Sequence, residues 1–278
     1  MNKKIKHSSN QARVAQGGRT FTEADGTDPG QSGISTIPKN LNEARGDDTF
    51  FISTGGSYLV REAEGTDTLK IDYSKVKAGH GLRGTLTYYI GTGLFNLSKY
   101  RSEKGVPYIN YAGIERFEIT GTALDDHFPV PTGLYGRQSD VLGGGDDIFK
   151  LSLWNQQGFS QKADDVDGGL GNDTLELSLT HSAAITLKVD ASGNGKFENH
   201  GTQLRSIETL NATTGSQDDN ISWLGNGNST IHANGSDDTL TSGSGNDYLD
   251  DGSGNDILTS SCGADTLLGK FRQRCLQA

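Results

Sequence analysis

The chain has 278 residues, of which only 32% are hydrophobic and 39 are glycine, and its net charge is −10 at neutral pH. So loop-rich a composition is short of apolar material for an ordinary compact core but suits a solenoid, which needs only a narrow apolar stripe per coil. The acidic balance argues against nucleic acid and an anionic membrane surface as partners, no run approaches the length of a membrane span, and the two cysteines, Cys262 and Cys275, make no disulfide framework.

Residues 1–40 are polar, Gly-rich and aperiodic, so disorder is expected there. They open on MNKKIK, like the basic start of a signal peptide, but HSSNQARVAQGG follows where an apolar stretch belongs, so a cleaved export signal is not expected. From 41 to 223, strand-like runs alternate with Gly/Asp turns: TFFISTG, YLVRE, DTLKIDYS, GTLTYYIGTG, FEITGT, DTLELSLT and AITLKVDAS. This stretch holds a duplication. Gly65-Thr66-Asp67-Thr68-Leu69 leads to Ile114-Glu115 and Asp125-Asp126, while Gly171-Asn172-Asp173-Thr174-Leu175 leads to Ile207-Glu208 and Asp218-Asp219. A module of nonapeptide, insertion, "IE" strand and acidic turn predicts an irregular parallel β-solenoid. The alternative is a β-sandwich followed by a short roll, because the insertions between Tyr73 and Ile114 and between Leu179 and Ile207 are long.

Between 224 and 268 the period is explicit. Asp238, Asp247, Asp256 and Asp265 fall nine residues apart, each followed two residues later by Leu240, Leu249, Leu258 or Leu267, with Gly/Ser/Asn loops between. Loop and strand in each unit place one inward leucine and one loop carboxylate, and two units close a coil, so the fold is all-β, a parallel β-roll extending the irregular coils. Units two apart then stack, Asp238 against Asp256 and Asp247 against Asp265, with Ile221 and Ile231 continuing the leucine ladder upstream. From Ala233 to Gly269 there are seven acids and no Lys or Arg. Stacked carboxylates repel unless a cation lies between them. Hard oxygen donors in an adaptable turn suit Ca²⁺ better than Mg²⁺, and the segment lacks the ligands of a zinc site. Residues 269–278, GKFRQRCLQA, are basic and leave the period, as a cap, an export signal or the product of a shifted reading frame would.

These units resemble the RTX nonapeptide of hemolysin-type calcium-binding proteins, G-G-x-G-x-D-x-U-x with U a large apolar residue. Gly168 to Glu176 fits at every defined position, and Leu142 to Phe149 at all but the first. Weaker copies end in Asp48, Asp67, Asp126, Asp164 and Asp219, whereas Ser229 takes the aspartate slot of one in-phase unit. The resemblance implies Ca²⁺ between stacked loops. The implied site residues are Asp238, Asp247, Asp256 and Asp265 with Gly245 and Gly254 in the roll, and Asp173 with Gly169 and Gly171, Asp147 with Gly145, and Asp164 upstream. It also implies secretion by a one-step, signal-peptide-independent type I route, and folding after export.

Catalytic patterns are sparse. There is no H-E-x-x-H and no G-x-S-x-G, and the six histidines are scattered. Acid pairs such as Asp146/Asp147 suggest a glycosidase dyad less than a turn, since one member of each pair is already in repeat phase. Tyr88, Tyr89, Tyr100, Tyr108 and Tyr111 read as strand residues before they read as a sugar groove. Two readings follow: a secreted calcium-binding protein of structural or interaction role, or a carbohydrate-active solenoid of uronate epimerase or lyase type, with cell-surface or extracellular polysaccharide as partner and the roll as accessory.

Overall fold

A computed structural model describes residues 20–22, 39–42, 47–53, 57–61, 65–76, 80–86, 93–96, 108–114, 116–130, 139–152, 165–179, 184–199, 201–269 and 272–273. Among these the strands form one sheet of 13 and one of 12, with parallel pairing throughout except in two insertions. Outside the insertions successive strands alternate between the sheets, and the apolar interior lies between the two.

The period-two alternation of the sequence becomes inward and outward side chains. Inward residues stack rung on rung: Phe50 pairs with Leu69 and Leu69 with Phe117 in one sheet. In the other, Phe128 pairs with Phe149, Phe149 with Leu175, and Leu175 with Leu210. The nonapeptides continue this register. Ile221 pairs with Leu240 and Leu240 with Leu258, while Ile231 pairs with Leu249 and Leu249 with Leu267. All of these residues are buried, so the ladder expected upstream through Ile221 and Ile231 is present.

The interior changes along the axis. Several upstream strands, with the residue that follows them, bury two or three large apolar side chains, such as Leu69, Ile71 and Tyr73, or Leu175, Leu177 and Leu179. From Thr239–Ser242 to Thr266–Leu268 each strand buries a single leucine, and Ser242, Asp251 and Ser260 are buried just beyond the first three of these leucines. At about 2 kcal/mol per buried leucine, one such residue per nine ordered residues falls far below the roughly 1–2 kcal/mol per residue of backbone entropy. The upstream coils thus have apolar support that the roll lacks.

Each insertion is a three-stranded antiparallel meander laid into a sheet. Arg83–Leu86, Gly93–Asn96 and Tyr108–Ala112 enter the 12-stranded sheet; Thr186–Val189, Gly195–Phe197 and Gln203–Arg205 enter the 13-stranded one. The long gaps in the duplicated module are therefore extra rungs of one solenoid, not a separate sandwich. Two strands fall within the 1–40 segment expected to be disordered or at its edge: Thr20–Thr22 pairs with Thr49–Phe51, and Lys39–Asn42 with Tyr58–Arg61. Beyond the last nonapeptide, Arg272–Gln273 pairs with Leu258–Thr259 and adds a rung.

Candidate metal centre

At the turn entering each strand the repeat aspartate is withdrawn from solvent and aimed along the solenoid axis. Asp256 Oδ1 accepts the Asp238 N–H at 2.8 Å, and Asp238 Oδ1 accepts the Asp219 N–H at 2.8 Å. On the turn leading into the other sheet, Asp265 Oδ1 takes the Asp247 N–H at 3.0 Å, and Asp247 Oδ1 that of Ser229 at 2.8 Å. The expected stacking of Asp238 with Asp256 and of Asp247 with Asp265 is thus realised as a ladder in which each carboxylate caps the backbone of the coil before it. The same ladder runs upstream, from Asp147 to the Asp126 N–H at 2.6 Å and from Asp173 to the Asp147 N–H at 2.8 Å. Ser229 keeps the cap, its hydroxyl accepting the Leu210 N–H at 3.1 Å, but has no second oxygen to offer.

That second oxygen is where the chemistry lies. The Oδ2 atoms of Asp147, Asp173 and Asp238 are buried and have no hydrogen-bond partner. An ionised oxygen in that position is costly unless a cation meets it. Burial pushes Asp147 up to about 8, with the Asp126 and Asp173 carboxylates adding to it, and Asp238 up to about 7, with Asp219 and Asp256 adding. Asp173 and Asp126 rise to about 6, also chiefly through burial. Asp67, Asp219 and Asp247 shift upward for the same reason.

Glycines bring the next donors close. A β-carbon on Gly254 would lie 2.0 Å from the Ser236 carbonyl oxygen, and one on Gly171 would lie 1.8 Å from that of Gly145. Gly145, Gly169, Gly171 and Gly245 hold φ of 114°, 96°, 146° and 129°, a region closed to most side chains. Among the described residues no three His, Cys, Asp or Glu side chains converge on one point. A cation here therefore takes one or two carboxylates and completes its shell with main-chain oxygens, the adaptable hard-donor set that fits Ca²⁺. Asp164 lies outside the described residues.

A second ladder was not anticipated from the sequence. At many repeats the residue before the repeat aspartate, or before Ser229 in that slot, accepts through its side-chain Oδ1 the N–H of its counterpart in the following coil. Asp237 takes the Asn255 N–H at 2.8 Å, Asn246 that of Ala264 at 2.9 Å, Asn228 that of Asn246 at 2.7 Å, and Asp146 that of Asn172 at 2.9 Å. This ladder runs opposite to the inner one, so neighbouring columns tie each loop to the coils on both sides. The signal was available as the recurrent Asn or Asp at that position. Of the tyrosines considered for a sugar groove, Tyr111 is core, packed edge-on to Phe117 with ring centroids 5.1 Å apart, while Tyr88, Tyr89 and Tyr100 lie outside the described residues.

No curated protein matches the chain. The family model of the RTX calcium-binding nonapeptide repeat matches residues 163–175, 214–249 and 241–270, and those segments carry the carboxylate ladders at Asp173, Asp238, Asp247, Asp256 and Asp265. With parallel coils, stacked loop carboxylates and the repeat itself in agreement, the chain is a calcium-binding repeat protein whose matched segments are RTX nonapeptides folded as a β-roll.

Proposed function

We propose that this is a secreted protein whose roll, residues 224–268, folds on binding Ca²⁺ outside the cell, and that it serves a structural or interaction role carried on a body, residues 41–223, which needs less help from the ion. The observation that carries this reading is the column of buried aspartates whose Oδ2 atoms have no protein partner. Asp238, Asp247, Asp256 and Asp265 would hold the ions of the roll with main-chain oxygens near Gly245 and Gly254, and Asp147 and Asp173 those upstream with Gly145, Gly169 and Gly171. When bound, Ca²⁺ supplies the positive charge that this acidic segment lacks.

The chain's own residues do the remainder. Each Oδ1 fixes the neighbouring coil, the leucines order the interior, and the glycines admit the carbonyls. Affinity in the range of extracellular modules, a dissociation constant on the order of 10⁻⁴ to 10⁻³ M, would leave the roll loose in a cytosol poor in Ca²⁺ and folded outside. Such a difference suits one-step export of an unfolded chain by a type I route, which the RTX repeats favour. A Ca²⁺ titration followed by far-UV circular dichroism tests the proposal. β-Signal should rise with millimolar Ca²⁺ and fall in excess chelator to the level that the upstream body supplies alone; full β-signal in chelator, unchanged by Ca²⁺, would overturn it.

A further inference from the structure

The second insertion returns to the solenoid at Ser206-Ile207-Glu208, just ahead of the strand Thr209–Thr213. That strand pairs with Thr174–Ser178, Thr209 against Thr174, so Glu208 stands in register with Asp173, one coil further on. It also makes the contact that a repeat aspartate makes, since Glu208 Oε2 accepts the Asp173 N–H at 2.8 Å, as Asp173 Oδ1 accepts that of Asp147. Neither Ser206 nor Glu208 belongs to a nonapeptide, and the matched repeats stop at 175 and resume at 214.

Two oxygens converge beneath this glutamate. Asp173 is 0% exposed and its Oδ2 has no partner. A β-carbon on Gly168 would lie 2.5 Å from that Oδ2 and 2.2 Å from the Ser206 carbonyl oxygen, so both point into the space that the glycine leaves open. Arg205, the base nearest in sequence, faces Asp167 instead, at 3.5 Å. The remaining acid beside the loop, Asp146, is engaged by the Asn172 N–H.

We propose that Asp173, the Ser206 carbonyl and Glu208 form a hybrid Ca²⁺ site, half nonapeptide loop and half insertion, which closes the upstream column. This rests on the calcium-binding reading above and adds to it a ligand set that the repeat does not contain. A carboxylate, a second carboxylate in register and a main-chain carbonyl are the hard donors Ca²⁺ takes. The first copy of the module carries Glu115 at the matching place in sequence, before Arg116, which pairs with Thr68; Glu115 lies outside the described residues.

The fold supplies its own reporter. The Trp223 indole N–H donates to the Glu208 carbonyl at 3.1 Å, so a lanthanide in this site sits close to an indole. In full-length protein carrying Trp154→Phe, Tb³⁺ emission excited through Trp223 is compared with and without Glu208→Gln, alongside Ca²⁺ stoichiometry by calorimetry. The amide can still accept the Asp173 N–H, so the variant should fold. Expected are one Ca²⁺ fewer per chain or a site weakened about tenfold or more, and Tb³⁺ emission reduced several-fold. Asp173→Asn should give the same loss. Unchanged emission and stoichiometry in Glu208→Gln, in protein that still binds Ca²⁺ elsewhere, would overturn the hybrid site alone. Absence of any Ca²⁺ binding by the parent protein would overturn the wider reading with it.

Discussion

Asp238 separates the structural role of the repeat carboxylate from its electrostatic one, because its two oxygens face different partners. Oδ1 caps the Asp219 N–H at 2.8 Å, whereas Oδ2 is buried without a partner. Asp238→Ala removes both and leaves a buried N–H without its acceptor, a loss of about 1–3 kcal/mol. Asp238→Asn retains an acceptor for the cap and removes only the charge. With free Ca²⁺ about a hundredfold above the dissociation constant, losing one site removes about 2.7 kcal/mol of linked stability. In Ca²⁺, Asp238→Asn should therefore stand below the parent by about that amount, and Asp238→Ala lower still by the value of the cap. In chelator at pH 8 the order of parent and Asn variant should invert, since the buried charge then only opposes folding. Urea midpoints in Ca²⁺ and β-signal by circular dichroism in chelator measure the two arms. If Asp238→Asn lies below the parent by the same margin in both buffers, the carboxylate acts as a cap and not as a ligand.

Asp256→Ala should weaken Ca²⁺-induced folding far more than Asp250→Ala, because Asp256 is buried in the ladder whereas Asp250 faces His232 on the outer surface at 3.4 Å; equal shifts in a Ca²⁺ titration would mean that bulk charge governs the transition. Gly254→Ala should cost more of that folding than Ser253→Ala at the exposed neighbouring position, since a β-carbon would meet the Ser236 carbonyl at 2.0 Å. Without metal, stability should fall as pH rises, because the folded pKa values of Asp126, Asp173, Asp238 and Asp147, about 6, 6, 7 and 8, exceed the ordinary 3.8. The stabilisation they bring is complete below about pH 4 and is lost through pH 6–8; β-signal in chelator that drops on acidification from pH 8 to 5 would contradict this. A fragment beginning at Ala233 should stay unfolded at Ca²⁺ concentrations that fold one beginning at Asp164, as judged by circular dichroism, because only the longer one carries the apolar rungs from Val166 to Ala212.

The roll was legible because its chemistry is periodic: one leucine and one aspartate at fixed phase fix the coil, the stacking and the class of ion together. Ile221 and Ile231 could be placed on the ladder by the same phase. Glu208 could not, because its equivalence to Asp173 spans an insertion and appears only when Thr209 is set against Thr174. The outer Asn/Asp ladder was visible as a recurrent residue type, but its function lies in contacts from one coil to the next, which spacing along the chain does not reveal. The paths of the insertions were hidden for a related reason. An antiparallel meander and a short sandwich share the same alternation of apolar residues, and only strand order tells them apart.

That strand order explains why the regular roll begins where it does. In each insertion the last strand joins the preceding coil and the first joins the following one, so Tyr108–Ala112 pairs with Tyr58–Arg61, and Gln203–Arg205 with Asp165–Asp167. Each meander thus adds two rungs to one sheet without breaking the parallel ladder on either side. The first lengthens the 12-stranded sheet and the second the 13-stranded one, so the sheets run two rungs out of step between them and come level again at Asn220–Trp223. While the sheets are out of step, the crossings into the 12-stranded sheet are already six residues long, at 121–126, 142–147 and 168–173, but the return crossings, 131–138, 153–164 and 179–185, are longer. From 214 to 265 the crossings in both directions are five or six residues long. The second insertion therefore precedes the roll for a geometric reason. It restores the step, and it delivers Ser206 and Glu208 onto Asp173 at the place where the apolar interior ends and the dependence on cations begins.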